Sequence, residues 1–146
     1  MIAGAGKTSL LNLISGNPTA GRSEGKICLN GIDVFDSMSR IRELSAFIQQ
    51  DDILLGTQTV REAIILSARL RLPKSMPDEE KLRRVDDVIE ILGLTKCKDT
   101  LVGDNFNKGI SGGEKRRVSV ALELIKSPAV LFLDGEYRGT VAGCGQ

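Results

Sequence analysis

The sequence predicts an α/β protein in which parallel strands alternate with helices. One observation is the glycine-rich segment at residues 4–8, which runs directly into an apolar stretch with helical spacing. A second is the continuous apolar run at residues 129–133, which has the length of a parallel strand buried on both faces. A third is a set of helix-start signals between these two segments, each followed by apolar residues at helical spacing.

Length and composition limit the possible functions. At 146 residues the chain forms one domain at most, with enough length for a core. A net charge of +1 argues against a surface built for polyanions, and 3% aromatic residues argue against stacking of single-stranded nucleic acid. The cysteines Cys28, Cys97 and Cys144 are widely spaced, which predicts neither a zinc site nor a disulfide framework and fits a reducing compartment. No apolar run approaches the roughly 20 residues of a membrane span, and no signal peptide is evident.

The first part of the chain predicts a helix, a hairpin turn and a strand. Residues 7–14 form the helix, which Gly16 ends. Residues 26–29 form a strand that enters a tight Asn-Gly turn at residues 30–31. Residues 46–48 form a short apolar strand that leads into a polar loop.

A capping box predicts the next helix. The side chains of Thr59 and Glu62 can each accept a hydrogen bond from the other residue's backbone N–H, and the helix extends to about Leu72. Its expected buried face consists of Val60, Ala63, Ile64, Ser67 and Leu70.

A further helix is predicted between a second cap at Ser75 and Asp78 and a stop at Gly93. Its expected core face consists of Leu82, Val85, Val88, Ile89 and Leu92. Its expected solvated face consists of Lys81, Arg83, Arg84, Asp86, Asp87 and Glu90. A third capping box, at Ser111 and Glu114, predicts a last helix that ends before Pro128.

The segment at residues 4–8 matches most of the phosphate-loop pattern G-x-x-x-x-G-K-[ST], although Met1 occupies the place of its first glycine. Lys7 would reach the β and γ phosphates, and the hydroxyl of Thr8 would bind Mg²⁺. The backbone N–H groups and the dipole of the following helix favour the same anion. The full set of expected phosphate-binding residues is Gly4, Ala5, Gly6, Lys7, Thr8 and Ser9. The alternative is a glycine-rich turn before an ordinary helix.

Two polar residues follow predicted strands. Asp134 ends an apolar strand, at the edge where ligands of parallel sheets bind, and it could order Mg²⁺ through bound water. Gln50 follows the strand at residues 46–48 and could offer its carbonyl oxygen to Mg²⁺ and orient an attacking water. The alternatives are an aspartate that caps the next turn and a glutamine in an ordinary polar loop.

The last capping box offers a second anion-binding helix start. Ser111 and the N–H groups of Gly112 and Gly113 can bind an anion, with Glu114 completing the segment. The alternative is a plain helix cap followed by three exposed basic residues. We refer to residues 111–114 as the signature segment.

These features, in this order, resemble the ATP-binding cassette (ABC) transporter ATPases, and within them the G subfamily of white-pigment and multidrug half-transporters. The resemblance covers roughly residues 1–134. The matching segments are Gln50-Asp51-Asp52, Thr59-Val60-Arg61-Glu62, the stretch SARLRLP at residues 67–73 and the stretch ISGGEKRRVSVALEL at residues 110–124.

The resemblance implies a P-loop NTPase fold of the ABC type, with a helical subdomain at about residues 57–127. It implies ATP and Mg²⁺ as cofactors and ATP hydrolysis that powers export of small molecules or lipids. It assigns catalytic roles to Gln50 and Asp134, and Mg²⁺ binding to these two residues and Thr8. The signature segment closes over the γ-phosphate of a second ATPase domain in a head-to-tail homo- or heterodimer. A half-transporter's transmembrane domain and the cytoplasmic face of a membrane are also implied.

The chain departs from the family after Asp134. The family has a catalytic glutamate where this chain has Gly135, and a switch histidine where this chain has no histidine at all. We therefore expect a fragment truncated at both ends, with an incomplete central sheet, an ATP-binding domain at residues 1–134 and a disordered tail at residues 135–146. The alternative function is a non-catalytic fragment that binds nucleotide weakly or only associates with partner domains.

Another phosphate-loop class, such as a GTPase or a nucleotide kinase, is the remaining alternative. A GTPase needs the sequence N-K-x-D to bind guanine. Residues 107–110 begin this pattern but end in Ile110, so the carboxylate that binds the base is absent. The signature segment also has no role in those classes.

Overall fold

The computed structural model describes residues 6–17, 24–33, 38–48, 54–104 and 106–134. The helices and strands within these ranges are, in chain order, α1 (Lys7–Ile14), β1 (Cys28–Leu29), β2 (Ile32–Asp33), α2 (Met38–Leu44), β3 (Ser45–Ile48), α3 (Val60–Arg71), α4 (Asp78–Ile91), α5 (Gly112–Leu124) and β4 (Val130–Leu133).

The chain divides into two compact units. Unit one holds Met1–Gln50 and Pro128–Glu136, and unit two holds Asp51–Ser127 and Tyr137–Gln146. The helices α3, α4 and α5 belong to unit two, and the other described elements belong to unit one. The domain at residues 1–134 and the helical subdomain at about 57–127 stay predictions, and the expected tail at 135–146 lies outside the described residues.

The strands β3 and β4 form a parallel pair in unit one, from Ser45 opposite Val130 to Ile48 opposite Leu133. Backbone hydrogen bonds extend this ladder at both ends, from Ala129 N–H to the Leu44 carbonyl at 2.7 Å and from Asp134 N–H to the Ile48 carbonyl at 3.0 Å. Because both strands run in the same direction, their carboxyl ends lie side by side, and Asp134 follows the carboxyl end of β4 next to that of β3.

The expectation of a fully buried last strand is wrong for the described residues. Three of the four residues of β3 are buried, whereas every residue of β4 is only half-buried. Within the described ranges, β4 has one neighbour, β3, so one of its edges and part of its surface stay accessible. The expected incomplete central sheet matches this two-stranded arrangement.

The predicted Asn-Gly turn is confirmed. It joins β1 to β2 in an antiparallel hairpin, with Leu29 opposite Ile32. Asn30 and Gly31 have φ angles of 51° and 83°. The type I′ hairpin turn requires a positive φ at both central residues, and Asn-Gly is the sequence that favours this turn.

Unit two is built on three helices that pack on one another, α3 on α4, α3 on α5 and α4 on α5. Its largest fully buried apolar side chains are Val60, Ile64, Val85, Leu94, Val102, Val118 and Ile125. The predicted buried face of α3 is wrong at Leu70, which is 76% exposed, while Ala68 is 1% exposed. Leu70 lies in the last turn of α3, at the margin of the buried face, so the packing of the neighbouring helices determines its exposure.

The predicted cap at Ser75 and Asp78 is wrong. The residue before α4 is Pro77, and no side chain caps this helix start. The Pro77 carbonyl instead accepts hydrogen bonds from the N–H groups of Glu80 and Lys81, both at 3.1 Å. Acidic residues in the first turn of α4 complement the positive end of its dipole without a cap.

The expected solvated face of α4 is wrong at two residues. Lys81 is 8% exposed. Arg84 is half-buried, and its Nε donates to the Ile125 carbonyl at 2.6 Å while its guanidinium also contacts the Ser127 hydroxyl. Arg84 therefore satisfies a carbonyl at the end of α5, where a helix leaves such groups without internal partners.

Candidate functional site

The phosphate loop leads into α1 through a left-handed residue. Gly6 precedes the helix with φ 75°, its carbonyl accepts from Leu10 N–H at 2.9 Å, and no side chain caps the helix start. Glycine takes this conformation without a steric penalty. Lys7, Thr8 and Ser9 are exposed in the first turn, where N–H groups have no partner within the helix. Gly4 and Ala5 lie outside the described residues.

One hydrogen bond joins the phosphate loop to the end of the parallel sheet. The Thr8 hydroxyl donates to Asp134 Oδ1 at 3.2 Å, between residues that are 126 positions apart. Asp134 is 7% exposed and is the residue that extends the β3–β4 ladder. The structure therefore brings together two of the residues that the sequence predicts for Mg²⁺.

The oxygen donors at this place suit Mg²⁺, which needs few protein ligands, and they do not form a site in which the protein supplies every ligand. Mg²⁺ keeps several waters and uses one or two protein oxygens together with substrate phosphates. Thr8 and Asp134 supply a hydroxyl and a carboxylate oxygen within hydrogen-bond distance of each other. In the part of the chain that the structure describes, no group of three or more histidine, cysteine or acidic side chains could hold an ion by itself. Gln50, two residues beyond β3, and Gly135 lie outside the described residues.

The signature segment forms the predicted capping box. Ser111 N–H donates to Glu114 Oε2 at 2.8 Å, and Glu114 N–H donates to Ser111 Oγ at 3.3 Å. The Ser111 hydroxyl also lies 2.7 Å from Glu114 Oε2 and donates to it. The two hydrogen bonds that Ser111 donates to the carboxylate, above all the one from its hydroxyl, lower the pKa of Glu114 below its usual value. Gly112 and Gly113 are exposed, and a Cβ added to either would meet nothing within 4 Å.

Backbone hydrogen bonds hold the strand-like segment that leads to the signature segment. Val102 N–H donates to the Gln58 carbonyl at 2.8 Å, and Gly103 N–H donates to the Gly56 carbonyl at 3.0 Å. The chain then folds back on itself so closely that a Cβ on Gly109 would lie 2.2 Å from the Val102 carbonyl oxygen. The start of α5 is therefore attached to the residues that precede α3.

Two residues beside the signature segment were not predicted. The Lys115 ammonium donates to the Gly103 carbonyl at 2.8 Å, so it is not simply an exposed charge. Cys97 is buried, and burial together with the nearby Glu114 carboxylate raises the pKa of its thiol. Both contacts join residues that are distant along the chain, and no local sequence pattern identifies such pairs.

In this chain a phosphate loop is hydrogen-bonded to an aspartate at the end of a parallel strand. This arrangement is typical of P-loop nucleoside triphosphate-binding domains. The family described as "ABC transporter" matches residues 3–136, and the chain therefore belongs to the ABC transporter family. This membership confirms the predicted resemblance and P-loop fold, and it rejects the GTPase and nucleotide-kinase alternative.

The similar proteins include members of the G subfamily. The chain is 46% identical to ABC transporter G family member 24 of Dictyostelium discoideum, over 94% of this chain and 12% of that protein. It is 48% identical to a probable ATP-dependent permease of Saccharomyces cerevisiae, over 94% of this chain and 13% of that protein. It is 42% identical to the broad substrate specificity ATP-binding cassette transporter ABCG2 of Rattus norvegicus, over 93% of this chain and 20% of that protein. The chain thus spans a small fraction of the length of these relatives.

A solved structure supports the fold. The cbiO1 protein of Clostridium perfringens, part of an ABC transporter complex, matches with a TM-score of 0.69 and 24% identity, over 91% of this chain and 51% of that chain. In the described residues of this protein, no helix has the length and hydrophobicity needed to cross a membrane.

Proposed function

We propose that this chain is the nucleotide-binding part of a G-subfamily ABC transporter ATPase and that it binds ATP together with Mg²⁺. The observation that carries the proposal is the hydrogen bond from Thr8 to Asp134, because it places a phosphate-loop hydroxyl beside the carboxylate at the end of the sheet. Nucleotide binding is the common property of the ABC ATPase family to which the chain belongs. The Mg²⁺ requirement follows from the hard oxygen donors at this position.

Each residue of the phosphate loop has a distinct role in the proposal. The ammonium of Lys7 binds the β and γ phosphates, and the first-turn N–H groups of α1 surround the same anion. Thr8, Gln50 and Asp134 hold Mg²⁺, directly or through water, and Gln50 also orients the attacking water. When bound, Mg²⁺ neutralises phosphate charge, and the residues of this chain position it.

The signature segment binds the γ-phosphate of a second ATPase domain in a head-to-tail dimer. Gly112 and Gly113 offer N–H donors at an exposed helix start, next to the Ser111 hydroxyl, and helix starts of this kind bind phosphate groups in other proteins. The second domain belongs to another copy of the chain or to a related half-transporter.

The complete protein would couple this site to a transmembrane domain at the cytoplasmic face of a membrane and export small molecules or lipids. The names of the similar proteins, a broad-specificity transporter and a permease, support this assignment. Hydrolysis by the 146-residue chain itself is expected to be slow, because Gly135 has no side chain to polarise water.

A titration of the chain with ATP tests the proposal. Lys7→Ala removes a charge-assisted phosphate contact of about 1.5–3 kcal/mol, so we expect roughly 10- to 150-fold weaker binding in the presence of Mg²⁺. Lys26→Ala is the matched control, because it removes the same charge from an exposed position of unit one. Equal ATP affinities for the two variants would refute the assignment of the phosphate loop.

A further inference from the structure

The hairpin of β1 and β2 has a two-residue loop that is open to solvent. Leu29 pairs with Ile32, so only Asn30 and Gly31 lie between the strands. Both loop residues are exposed, and a Cβ added to Gly31 would meet nothing within 4 Å. Water therefore reaches the side-chain amide of Asn30, and the backbone of the residue that follows it is not crowded.

The two loop residues can react with each other. The backbone nitrogen of Gly31 can attack the side-chain carbonyl carbon of Asn30, which closes a five-membered cyclic imide. Glycine suits this attack because it has no Cβ to crowd the nitrogen. Asn30 is the only asparagine of the sequence that is followed by glycine.

The conformation of the turn is compatible with ring closure. The ring contains the Cα–C bond of Asn30 and the nitrogen of Gly31, so closure rotates the peptide plane between these residues. This rotation converts a type I′ turn into a type II′ turn, and both types fit a hairpin. Asn30 already has a φ of 51°, a sign that both types share, and Gly31 can change the sign of its φ without a steric penalty. The pair of Leu29 with Ile32 can therefore persist when the ring closes.

The other asparagines that the structure describes lack this combination. Asn12 lies within α1, where the helix fixes its backbone. Asn17 precedes a proline, which has no N–H. The side-chain amide of Asn107 donates to both carboxylate oxygens of Asp104, at 3.1 and 3.2 Å. Asn30 is therefore the described asparagine that is best suited to cyclise.

We propose that Asn30 is a site of spontaneous deamidation, at which a carboxyl group replaces the side-chain amide through the cyclic imide. The Gly31 nitrogen loses its proton to solvent and bonds to Cγ of Asn30, while the amide nitrogen leaves Cγ as ammonia. Water then opens the ring. Attack at Cγ gives aspartate, and attack at the main-chain carbonyl carbon gives isoaspartate. The net reaction consumes one water and releases one ammonia, and it does not depend on the proposed nucleotide site.

The two products should affect the hairpin differently. Aspartate adds one negative charge, and like asparagine it tolerates the positive φ of a turn. Isoaspartate adds a methylene group to the main chain, so the loop loses the length that sets the register of the strands. The pairs of Cys28 with Asp33 and of Leu29 with Ile32 should therefore open in the isoaspartyl product.

Peptide mapping of the 146-residue chain after incubation in mildly alkaline buffer tests the proposal. Trypsin releases residues 27–40, in which Asn30 is the only side-chain amide, so the exchange of NH₂ for OH is assigned from the mass of this peptide. The exchange should be at least about tenfold more frequent there than in residues 99–108, which contain two asparagines but no Asn-Gly pair. A digest of fresh chain gives the background. Equal exchange in the two peptides would overturn the proposal.

Two variants and a reference peptide separate the turn from the sequence. Gly31→Ala adds a Cβ beside the attacking nitrogen and should slow the reaction about tenfold. Asn30→Gln requires a six-membered ring and should keep its amide. The free peptide of residues 27–40 has no fixed turn, and the folded chain should react within about tenfold of its rate because both hairpin turns are favourable.

Three results would overturn the inference at different steps. An unchanged rate in Gly31→Ala would exclude attack by the nitrogen of residue 31. A folded chain that reacts more than about a hundredfold more slowly than the peptide would show that the turn prevents ring closure. Electron-transfer fragmentation separates the two products, and ¹⁵N spectra report their strand pairing. Unshifted Leu29 and Ile32 amide signals in the isoaspartyl form, with Asn30→Asp as the control, would refute the opening of the hairpin.

Discussion

At the scale of single residues, the hydroxyl of Thr8 connects two segments that are far apart in sequence. Its hydrogen bond to Asp134 places a neutral donor beside a carboxylate that is 7% exposed. A buried carboxylate is stable only when hydrogen-bond donors or a cation compensate for its lost hydration. The same pair can therefore stabilise the fold without metal, and in the proposed function it binds Mg²⁺ together with nucleotide.

Replacement of this hydroxyl should reveal its contribution to metal binding. Thr8→Val keeps the branched shape but removes the oxygen, so the increase in ATP affinity on addition of Mg²⁺ should shrink by about 5- to 10-fold. Thr8→Ser retains the oxygen and serves as the control. Isothermal titrations with and without Mg²⁺ measure the difference, and an unchanged Mg²⁺ effect in Thr8→Val would contradict the role of Thr8.

Protonation of Glu114 should weaken unit two in acid. Because the folded-state pKa of Glu114 is lowered, its contribution to stability is complete above its unfolded value of about 4.5 and is lost as the pH falls through the folded pKa. Urea unfolding between pH 7 and pH 3 should show this loss. Glu114→Gln should show a flatter profile below pH 4.5, while Glu90→Gln, an exposed change near the end of α4, should follow the parent. Identical profiles for all three proteins would refute the prediction.

At the scale of elements, close contacts between glycines determine the approach to α5. Gly109 and Gly103 lie so near each other that a Cβ on either would be 2.5 Å or less from the other residue's backbone. Gly113, in the first turn of α5, has open space for a Cβ. Replacement of glycine by alanine should therefore have opposite effects on the free energy of unfolding at residues 109 and 113.

Gly109→Ala should destabilise the chain by about 2–3 kcal/mol, because the added methyl group meets backbone rather than a movable side chain. Gly113→Ala should stabilise it by up to about 1 kcal/mol, since alanine loses less conformational entropy in a helix than glycine does. Chemical denaturation measures both values. Equal stabilities of the two variants would contradict the close approach at residues 103 and 109.

The elements that could be predicted are those with local signals. The boxes at Thr59 and Ser111 formed as expected, because their donors and acceptors are three residues apart. Ser75 failed as a cap because Pro77 lies nearer to the helix start. The burial of Lys81 could not be inferred from sequence, since it depends on neighbours that only the folded chain brings together.

In the candidate site, too, some residues could be predicted from sequence patterns, whereas others depend on contacts that only the folded chain makes. Asp134 could be placed beside the phosphate loop because parallel sheets collect ligands at the carboxyl edge of their strands. The proximity of Cys97 to the Glu114 carboxylate follows no such rule, since these residues are 17 positions apart and only the folded chain brings them together. Gln50 lies outside the described residues, and its role stays a prediction.

At the scale of the whole molecule, the two units differ in the burial of their cores. The side chains with 0–1% exposure include Ile64, Val85 and Val118 of unit two, whereas all of β4 is half-buried. Local opening requires less free energy where fewer apolar contacts are lost. The units should therefore unfold with different free energies.

Hydrogen exchange should resolve this difference. We expect the amides in the middle of α3 and α5 to exchange more slowly than those of residues 130–133 in the monomeric chain. Nucleotide with Mg²⁺ should slow exchange at residues 130–133, since the proposed binding site lies at the end of that strand. Protection of β4 equal to that of α5 without nucleotide would contradict the prediction.

The parallel pairing of β3 with β4 also affects the order in which parts of the chain fold. Ser45 pairs with Val130, so the contact closes a loop of about 85 residues and costs more loop-closure entropy than a contact between nearer residues. The contacts among α3, α4 and α5 close shorter loops and should form earlier during folding. Asp134 reaches Thr8 only once the strands have paired. The capacity to bind metal and nucleotide should therefore appear late in refolding, after the helical signal is complete.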